Sequence, residues 1–339
     1  MKKLNSLLLV AFCAVIGAAA PANAASRSAA DLLSLVPPDA ATVAVVRLND
    51  LRESPIAARL FANADRIATD GDAARFLEEA QLNPKKDVDV IVVAASPSAG
   101  RTNSPALVLF QGRFDTDRLA GAALSRGAIR RTSLGGDYFL LPDKDKHSGD
   151  SDRSGAVAFV SSSLVIAGHE SAVIQALADR QSGGTSFASG TGLGRELKRV
   201  DRTASFWALV DVNRFPSAAR NRAHMEREGE AGDEPARAMM GAMKSVSLVA
   251  VQASARGDAL EVTASGVARD PESRQLLEDS LRGLMAMWRL AIEDKSPELV
   301  SVLRQFSISS DGDAVSIHGT LSGSALRMLS QKKSHASQN

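Results

Sequence analysis

Two hydrophobic periodicities alternate along the chain, one typical of strands and one typical of helices. Short runs rich in Val, Ile, Leu and Ala predict strands, and apolar positions three and four residues apart predict helices between them. Strands are predicted at residues 42–48, 88–95, 106–114, 138–141, 205–212, 246–255 and 259–267. Helices are predicted at residues 56–81, with a division at Gly71, and at 116–125, 214–227, 235–244, 270–292 and 297–305.

A unit of strand, turn, strand and helix occurs twice in this pattern. The first copy spans residues 156–180 and the second spans residues 306–329, and serine lies near the start of each helix. Further upstream, residues 88–96 match residues 246–254 in the same order along the chain. The pattern therefore predicts a tandem duplication.

Glycines at the ends of strands fall at matched places in the two copies. Gly112 corresponds to Gly266, and Gly168 corresponds to Gly319. Because all matched blocks keep their order, we interpret the chain as one ancestral module copied in tandem and then shortened in its loops.

The predicted architecture is α+β, with two tandem, internally repeated halves. Each half has a mainly antiparallel sheet with its helices packed on one face, as this order of elements favours. The first repeat is expected at residues 25–182 and the second at 195–330. A Gly/Ser linker at 183–194 separates them, and residues 331–339 form a disordered tail.

The N-terminus has the features of a secretory signal peptide at residues 1–24. Lys2 and Lys3 precede an apolar run at residues 7–20, and a small-residue cleavage site ends at Ala24. The run is too short to span a bilayer, and no later stretch has the length of a membrane helix. We predict cleavage after Ala24 and a soluble periplasmic or secreted mature chain.

The chain's one cysteine, Cys13, raises the alternative of a lipid-attached protein. Phe12 stands where a lipid-attachment site requires a small residue, so we favour the signal peptide. Cleavage then leaves a mature chain without cysteine, which excludes disulfides, a thiolate nucleophile and a zinc site with sulfur ligands.

Charge and composition add few constraints on function. The chain has 40 basic and 39 acidic residues, and 45% of its residues are hydrophobic. Only 4% are aromatic, and no basic stripe is interleaved with them. The composition therefore supports a packed core and gives no support to nucleic-acid binding.

Four stretches carry a resemblance to a known group of proteins. They are the opening LVPPDAATVAVVRL, the block QGRFD, the unit AVAFVSSSLVIAGHESAVIQAL and the later ASFWALVD. The chain resembles a family of uncharacterised exported bacterial proteins that share a Leu-x-Pro-x-Asp opening and a Gly-Arg-Phe-Asp block. This resemblance implies export and duplication, and it implies no activity.

Residues 143–154 superficially resemble a calcium-binding loop, because acidic residues recur through them. The segment lacks glycine at its sixth position, and Ser154 stands at the twelfth, where a bidentate glutamate is required. We interpret the segment as a solvated loop.

Histidines and arginines beside the matched glycines are further candidates for chemistry. His169 and His318 are offset by two positions, so we predict a helix-start and a strand-face role for them instead of a metal pair. Arg113 and Arg269 lie near matched strand ends and could bind an anion, although single arginines there usually face solvent.

Other motifs have ordinary structural interpretations. The glycines of residues 190–194 have the wrong spacing for a dinucleotide site and fit a linker. The paired carboxylates Glu78 and Glu79 fall on a predicted helix surface. His224 lacks the partner histidine of a zinc-binding helix. The pattern predicts no cofactor, no metal site and no catalytic residue.

Methionines at helical spacing suggest an apolar binding groove. Such residues are usually core residues, but Met239, Met285 and Trp288 are the candidates for lining a groove between the two halves. We therefore expect a non-enzymatic binding or interaction protein of the cell envelope. The alternative is a carrier for an apolar small molecule or lipid, and a third class is an envelope hydrolase that uses scattered acids and His169.

Overall fold

The computed structural model describes residues 29–52, 54, 71–97, 105–142, 155–183, 187, 192–214, 246–293 and 297–325. The chain divides into two compact units, the first ending at Arg195 and the second beginning at Glu196. Phe187 and Leu193, which fall within the predicted linker, are 0% and 2% exposed, so both side chains are packed. Outside the described residues lie the predicted leader, the tail, the loop at 143–154, the helix at 235–244 and most of those at 56–81 and 214–227.

The first unit contains a sheet in which every pairing between the following strands is antiparallel. Within the described residues the strand order is β1-β2-β3-β7-β6-β5-β4. The strands are β1 (Thr42–Arg47), β2 (Val88–Ala95), β3 (Ala106–Gly112), β4 (Ile129–Ser133), β5 (Gly136–Leu140), β6 (Gly155–Ser161) and β7 (Leu164–His169). The helices are α1 (Ala29–Leu33), α2 (Leu48–Arg52), α3 (Gly71–Glu79), α4 (Pro84–Asp87), α5 (Thr116–Ser125) and α6 (Glu170–Ser182).

Strand β2 lies inside this sheet, between β1 and β3. Its successive residues Val90, Ile91 and Val92 are all buried, although neighbouring side chains in a strand point to opposite faces. A continuous apolar run is typical of a central strand covered on both faces, and β2 has this position and burial.

Helices of the first unit lie on both faces of its sheet. Phe139 of β5 forms a buried cluster with Ala123 of α5, whereas its neighbour Tyr138 donates a hydrogen bond of 2.8 Å to Glu170 of α6. Consecutive strand residues point to opposite faces, so α5 and α6 cover opposite sides. The prediction that helices pack on one face is therefore wrong for this unit.

The second unit also has an antiparallel sheet, with the strand order β11-β12-β10-β9-β8. Its strands are β8 (Phe206–Asp211), β9 (Val246–Arg256), β10 (Ala259–Ala268), β11 (Ser307–Asp311) and β12 (Ala314–Ser322). The helices are α7 (Pro271–Glu293) and α8 (Pro297–Leu303). Two 3₁₀ segments, Gly192–Arg199 and Val212–Arg214, precede and follow β8.

The two faces of this second sheet differ in polarity. On one face Ser265 and Ser316 lie opposite each other, with their hydroxyl oxygens 2.7 Å apart. On the other face Val315 packs in a buried cluster with Val246 and with Leu277 of α7. This alternation of buried and polar positions is typical of an antiparallel sheet that has one covered face.

The two units share a strand order. The order β1-β2-β3-β7-β6 in the first unit corresponds to β8-β9-β10-β12-β11 in the second, when strands are compared in their sequence along the chain. In the first unit the hairpin of β4 and β5 lies between α5 and β6 along the chain and extends the sheet. In the second unit α8 lies at the corresponding position, between α7 and β11. The mixed α and antiparallel β class predicted for the chain is therefore correct.

Candidate functional site

The structure describes two of the three residues of the predicted groove. Met285 and Trp288 both lie on α7, where Met285 is partly buried and Trp288 is 52% exposed. Met239 lies outside the described residues. Helix α7, which carries Met285 and Trp288, is therefore the candidate binding surface.

Helix α7 starts at a well-formed cap. The carboxylate of Asp270 accepts a hydrogen bond of 2.7 Å from the backbone N–H of Ser273, and Pro271 takes the first helical position. These hydrogen bonds from Ser273 hold the pKa of Asp270 below its ordinary value. The sequence fixes this end of the helix because aspartate and proline favour a helix start.

Contacts along its length hold α7 against the second sheet. Leu277 is 5% exposed and belongs to the buried cluster on β9 and β12. The guanidinium of Arg274 donates to the carbonyl oxygen of Gly312 at 2.9 Å, and that of Arg289 donates to the carbonyl oxygen of Leu303 at 3.0 Å. The surface that α7 presents is therefore fixed within its unit.

An apolar stripe runs along the outer side of α7. Leu276, Met287 and Leu290 are 49%, 42% and 71% exposed. They lie with Gly283 on one side of the helix, because separations of seven, eleven and fourteen residues are close to whole turns. We call these four residues the α7 stripe.

Trp288 projects from a different side of the same helix. It follows Leu277 by eleven residues and Leu281 by seven, so it shares their side of α7. Leu277 and Leu281 pack in the core cluster, whereas half of the Trp288 side chain is exposed. The last turns of α7 therefore expose large apolar groups on two sides.

The two predicted histidines have ordinary local partners. His169 precedes α6, and its Nδ1 atom lies 2.9 Å from the Oγ atom of Ser171. His318 lies on β12 with its Nδ1 atom 3.1 Å from the hydroxyl oxygen of Thr263. These are the helix-start and strand-face positions that were predicted. Across the described ranges, no group of three histidine, cysteine or acidic side chains could hold a metal ion.

Both arginines and Glu79, one of the paired acids, are also engaged in local structure. Arg113 donates to the carbonyl oxygen of Lys86, and Arg269 donates to the side-chain oxygen of Asn213. Glu79 forms a bidentate ion pair with Arg126, with hydrogen bonds of 2.8 and 3.0 Å. This ion pair lowers the pKa of Glu79. These groups fasten neighbouring segments to one another.

Arg199 forms a bidentate salt bridge within the second unit, which we call the Arg199 clamp. Its two terminal nitrogens donate to the two carboxylate oxygens of Asp313, each at 2.8 Å. The pKa of Asp313 is lowered by this bond, and that of Arg199 is raised by the same bond and by its ion pair with Glu196. The clamp joins the 3₁₀ segment before β8 to the turn between β11 and β12.

A cleft of about 240 Å³ in the first unit was not predicted from the sequence. Polar and apolar side chains line it together. Its polar residues are Asp31, Ser34, Gln111, Ser163 and Arg180, and its apolar residues are Leu32, Leu35 and Leu164.

Sequence reasoning singled out the groove candidates Met285 and Trp288 on α7 but missed Leu276 and Leu290. The missed signal was a second set of apolar positions along α7, beside those that face the sheet. A helix packed on one side needs only one apolar face, so the second face marked a surface left for another contact.

Similarity to known proteins is confined to solved structures. No protein-family model and no curated protein matches the chain. Crystal form III of TP0453 aligns with a TM-score of 0.48 at 10% identity, covering 87% of this chain and 95% of that one. Forms I and IV align with TM-scores of 0.42 and 0.45 at 12% and 11% identity, covering 87% and 88% of this chain and 94% and 95% of theirs.

No helix in the described ranges combines the length and the apolar character that a bilayer-crossing helix needs.

Proposed function

We propose that the protein is a non-enzymatic binding protein of the cell envelope that docks a partner protein on helix α7. The observation that carries this proposal is the cluster of large apolar side chains exposed on one helix. Single exposed leucines are common on protein surfaces, whereas large apolar side chains exposed close together, as Met287, Trp288 and Leu290 are, are typical of an interaction site.

The shape of the α7 stripe favours a helix as the docked element. From Leu276 to Leu290 the stripe extends for about 21 Å at 1.5 Å per residue. Gly283 lies between them, and no atom is within 4 Å of the position a Cβ would take there. A partner helix could therefore approach closely and bury its own apolar face against the stripe.

The second candidate function is a carrier for an apolar small molecule or lipid. Trp288 favours this function. It lies on the side of α7 that packs against the sheet nearer the start of the helix, yet its side chain is 52% exposed. In this alternative Met239, Met285 and Trp288 would line the ligand site. The cleft of the first unit belongs to neither proposal.

Site-specific photo-crosslinking in the exporting cell tests the docking proposal. A crosslinking residue in place of Leu290 should give one discrete adduct, and Leu276→Gln with Met287→Gln should abolish it. Leu124, which is 48% exposed on α5, is the control position and should give no such adduct. Equal labelling at both positions, or an adduct that survives the double substitution, would refute the proposal.

Tryptophan fluorescence separates the carrier from the docking protein. The chain has two tryptophans, and Trp207 is only 1% exposed, so a ligand on α7 should report through Trp288. A carrier should show a saturable blue shift near one equivalent of a long-chain fatty acid, absent in Trp288→Phe. A docking protein should show no shift with this probe.

Export and duplication are part of the same proposal. The N-terminal pattern supports secretion with cleavage after Ala24, and the resemblance to exported bacterial proteins agrees with it. Mass spectrometry of the exported protein should then find Ala25 as the first residue. The matching strand order of the two units supports a tandem duplication, which predicts that experimental structures of the two units superpose strand for strand.

A further inference from the structure

Among the strands that the structure describes, β4 is the last in the sheet of the first unit. Within this described part of the chain, residues Ile129–Ser133 pair along one side only, with β5, and four of the five are exposed. Ser133 and Gly136 flank a two-residue turn and so form a hydrogen-bonded pair. Bonding alternates along an antiparallel ladder, so the backbone N–H and C=O groups of Arg130 and Thr132 point away from β5.

Side-chain bonds hold this edge in one conformation. The carboxylate of Asp137 on β5 accepts a hydrogen bond of 2.9 Å from Nε of Arg130 and one of 2.7 Å from the hydroxyl of Thr132. These two bonds hold the pKa of Asp137 below its ordinary value. An edge that is already ordered loses little conformational entropy when another strand joins it.

Arg131 lies on the other face of β4 and gives the edge its charge preference. It is exposed, and among the described residues it has no hydrogen-bond or ion-pair partner. Its neighbour on the same face is Ile129, which is 55% exposed. A joining strand would therefore meet one positive charge and one apolar side chain, two residues apart.

The same charge disfavours a second copy of the chain. Antiparallel pairing of two β4 strands about their centre would set Arg131 opposite Arg131, and like charges in directly opposed positions destabilise a sheet. A carboxylate in that position would instead be attracted. Arg131 and the residue opposite it on the joining strand would form a non-hydrogen-bonded pair. In such pairs the two side chains lie closer together than in hydrogen-bonded pairs.

We propose that the open edge of β4 is a strand-addition site for an extended segment of another protein, with an acidic residue opposite Arg131 and an apolar residue opposite Ile129. Backbone hydrogen bonds to Arg130 and Thr132 supply affinity, and the two facing side chains supply selectivity. This site is separate from the α7 stripe and does not depend on it.

A synthetic peptide, Thr-Val-Thr-Glu-Thr-Val-Thr, tests the site on the full mature chain by hydrogen exchange. In the free protein the amides of Arg130 and Thr132 should exchange fast, whereas that of Arg131, which bonds to β5, should be protected. With the peptide bound, all three should be protected. Slow exchange of Arg130 and Thr132 in the free protein would mean that the edge is already covered, and the proposal would fail.

Substitutions test the charge and the backbone contribution separately. Arg131→Glu should weaken binding of the peptide by about two- to thirtyfold and should restore binding of a peptide with Lys in place of Glu. Thr132→Pro removes an outward-facing N–H, which an edge strand tolerates, and should abolish binding. Arg180→Glu, an exposed arginine on α6, is the charge control and should bind normally.

The charge swap keeps the test decisive even if the proline variant fails to fold. Unchanged affinity for both peptides in Arg131→Glu would overturn the proposed selectivity. Sedimentation of the free chain adds a further outcome: a dimer that Arg131→Ala strengthens, by removing the two opposed like charges, would identify a second copy as the occupant and overturn the proposal. Each of these failures would leave the docking function of α7 untouched.

Discussion

Alanine at Gly112 should destabilise the protein, whereas alanine at the matched Gly266 should be tolerated. A Cβ on Gly112 would lie 1.9 Å from the backbone carbonyl oxygen of Asp87. A Cβ on Gly266 would lie 3.3 Å from a side-chain methyl of Leu277. Ordinary contacts are about 3.5 Å or longer, so only Gly112 forces a backbone to move.

The expected magnitude follows from what must move. The Asp87 carbonyl accepts a 2.7 Å hydrogen bond from the backbone N–H of Arg113, and displacing it loses about 1 kcal/mol. Overpacking strain adds about 1–3 kcal/mol, so Gly112→Ala should cost roughly 2–4 kcal/mol. Gly266→Ala should cost less than about 1 kcal/mol, because Leu277 can rotate and alanine restricts the unfolded chain.

Thermal unfolding followed by circular dichroism measures the difference. Each kcal/mol lowers the Tm by about 2–4 °C in a protein of this size, so Gly112→Ala should lower it by roughly 4–16 °C. Gly266→Ala should stay within about 4 °C of the parent. A Tm for Gly112→Ala equal to that of the parent would refute the close approach. A large loss at Gly266 would show that α7 cannot adapt.

Two further predictions concern pH. Because Arg199 lowers the pKa of Asp313, this pair should stabilise the fold above pH of about 4 and lose its effect as the pH falls through the lowered pKa. Asp313→Asn should cost only about 0.5–1 kcal/mol at neutral pH, since the Asp313 side chain is 55% exposed and solvent screens it, and acid denaturation of the variant should lack this component. Tyr138 is the chain's one tyrosine, and its bond to Glu170 and its burial raise its pKa. Its phenolate absorbance should therefore appear above pH of about 10. The stabilisation that Tyr138 contributes is complete below that pH and should be lost as the pH rises through the raised pKa. The variant Tyr138→Phe should not show this loss of stability at high pH.

The sequence by itself determined the local elements and their caps. Residues 88–95 formed a buried strand because every position in the run is apolar or β-branched apart from Asp89. Asp115, which directly precedes a helical pattern, caps α5 by accepting a hydrogen bond from the backbone N–H of Arg118. Such features depend on neighbours a few residues away, and those neighbours are visible in the sequence.

Tertiary structure decided which surfaces stay exposed. The strand β4 was not predicted, because IRRTS has no apolar alternation and forms a strand only through its pairing with β5. The helices α5 and α6 cover opposite faces of the first sheet, a choice made by residues far apart in sequence. Met285 and Trp288 had the same helical pattern in the sequence, yet only Trp288 is half exposed. Burial depends on what the rest of the fold brings to each position, and periodicity within one element does not contain that information.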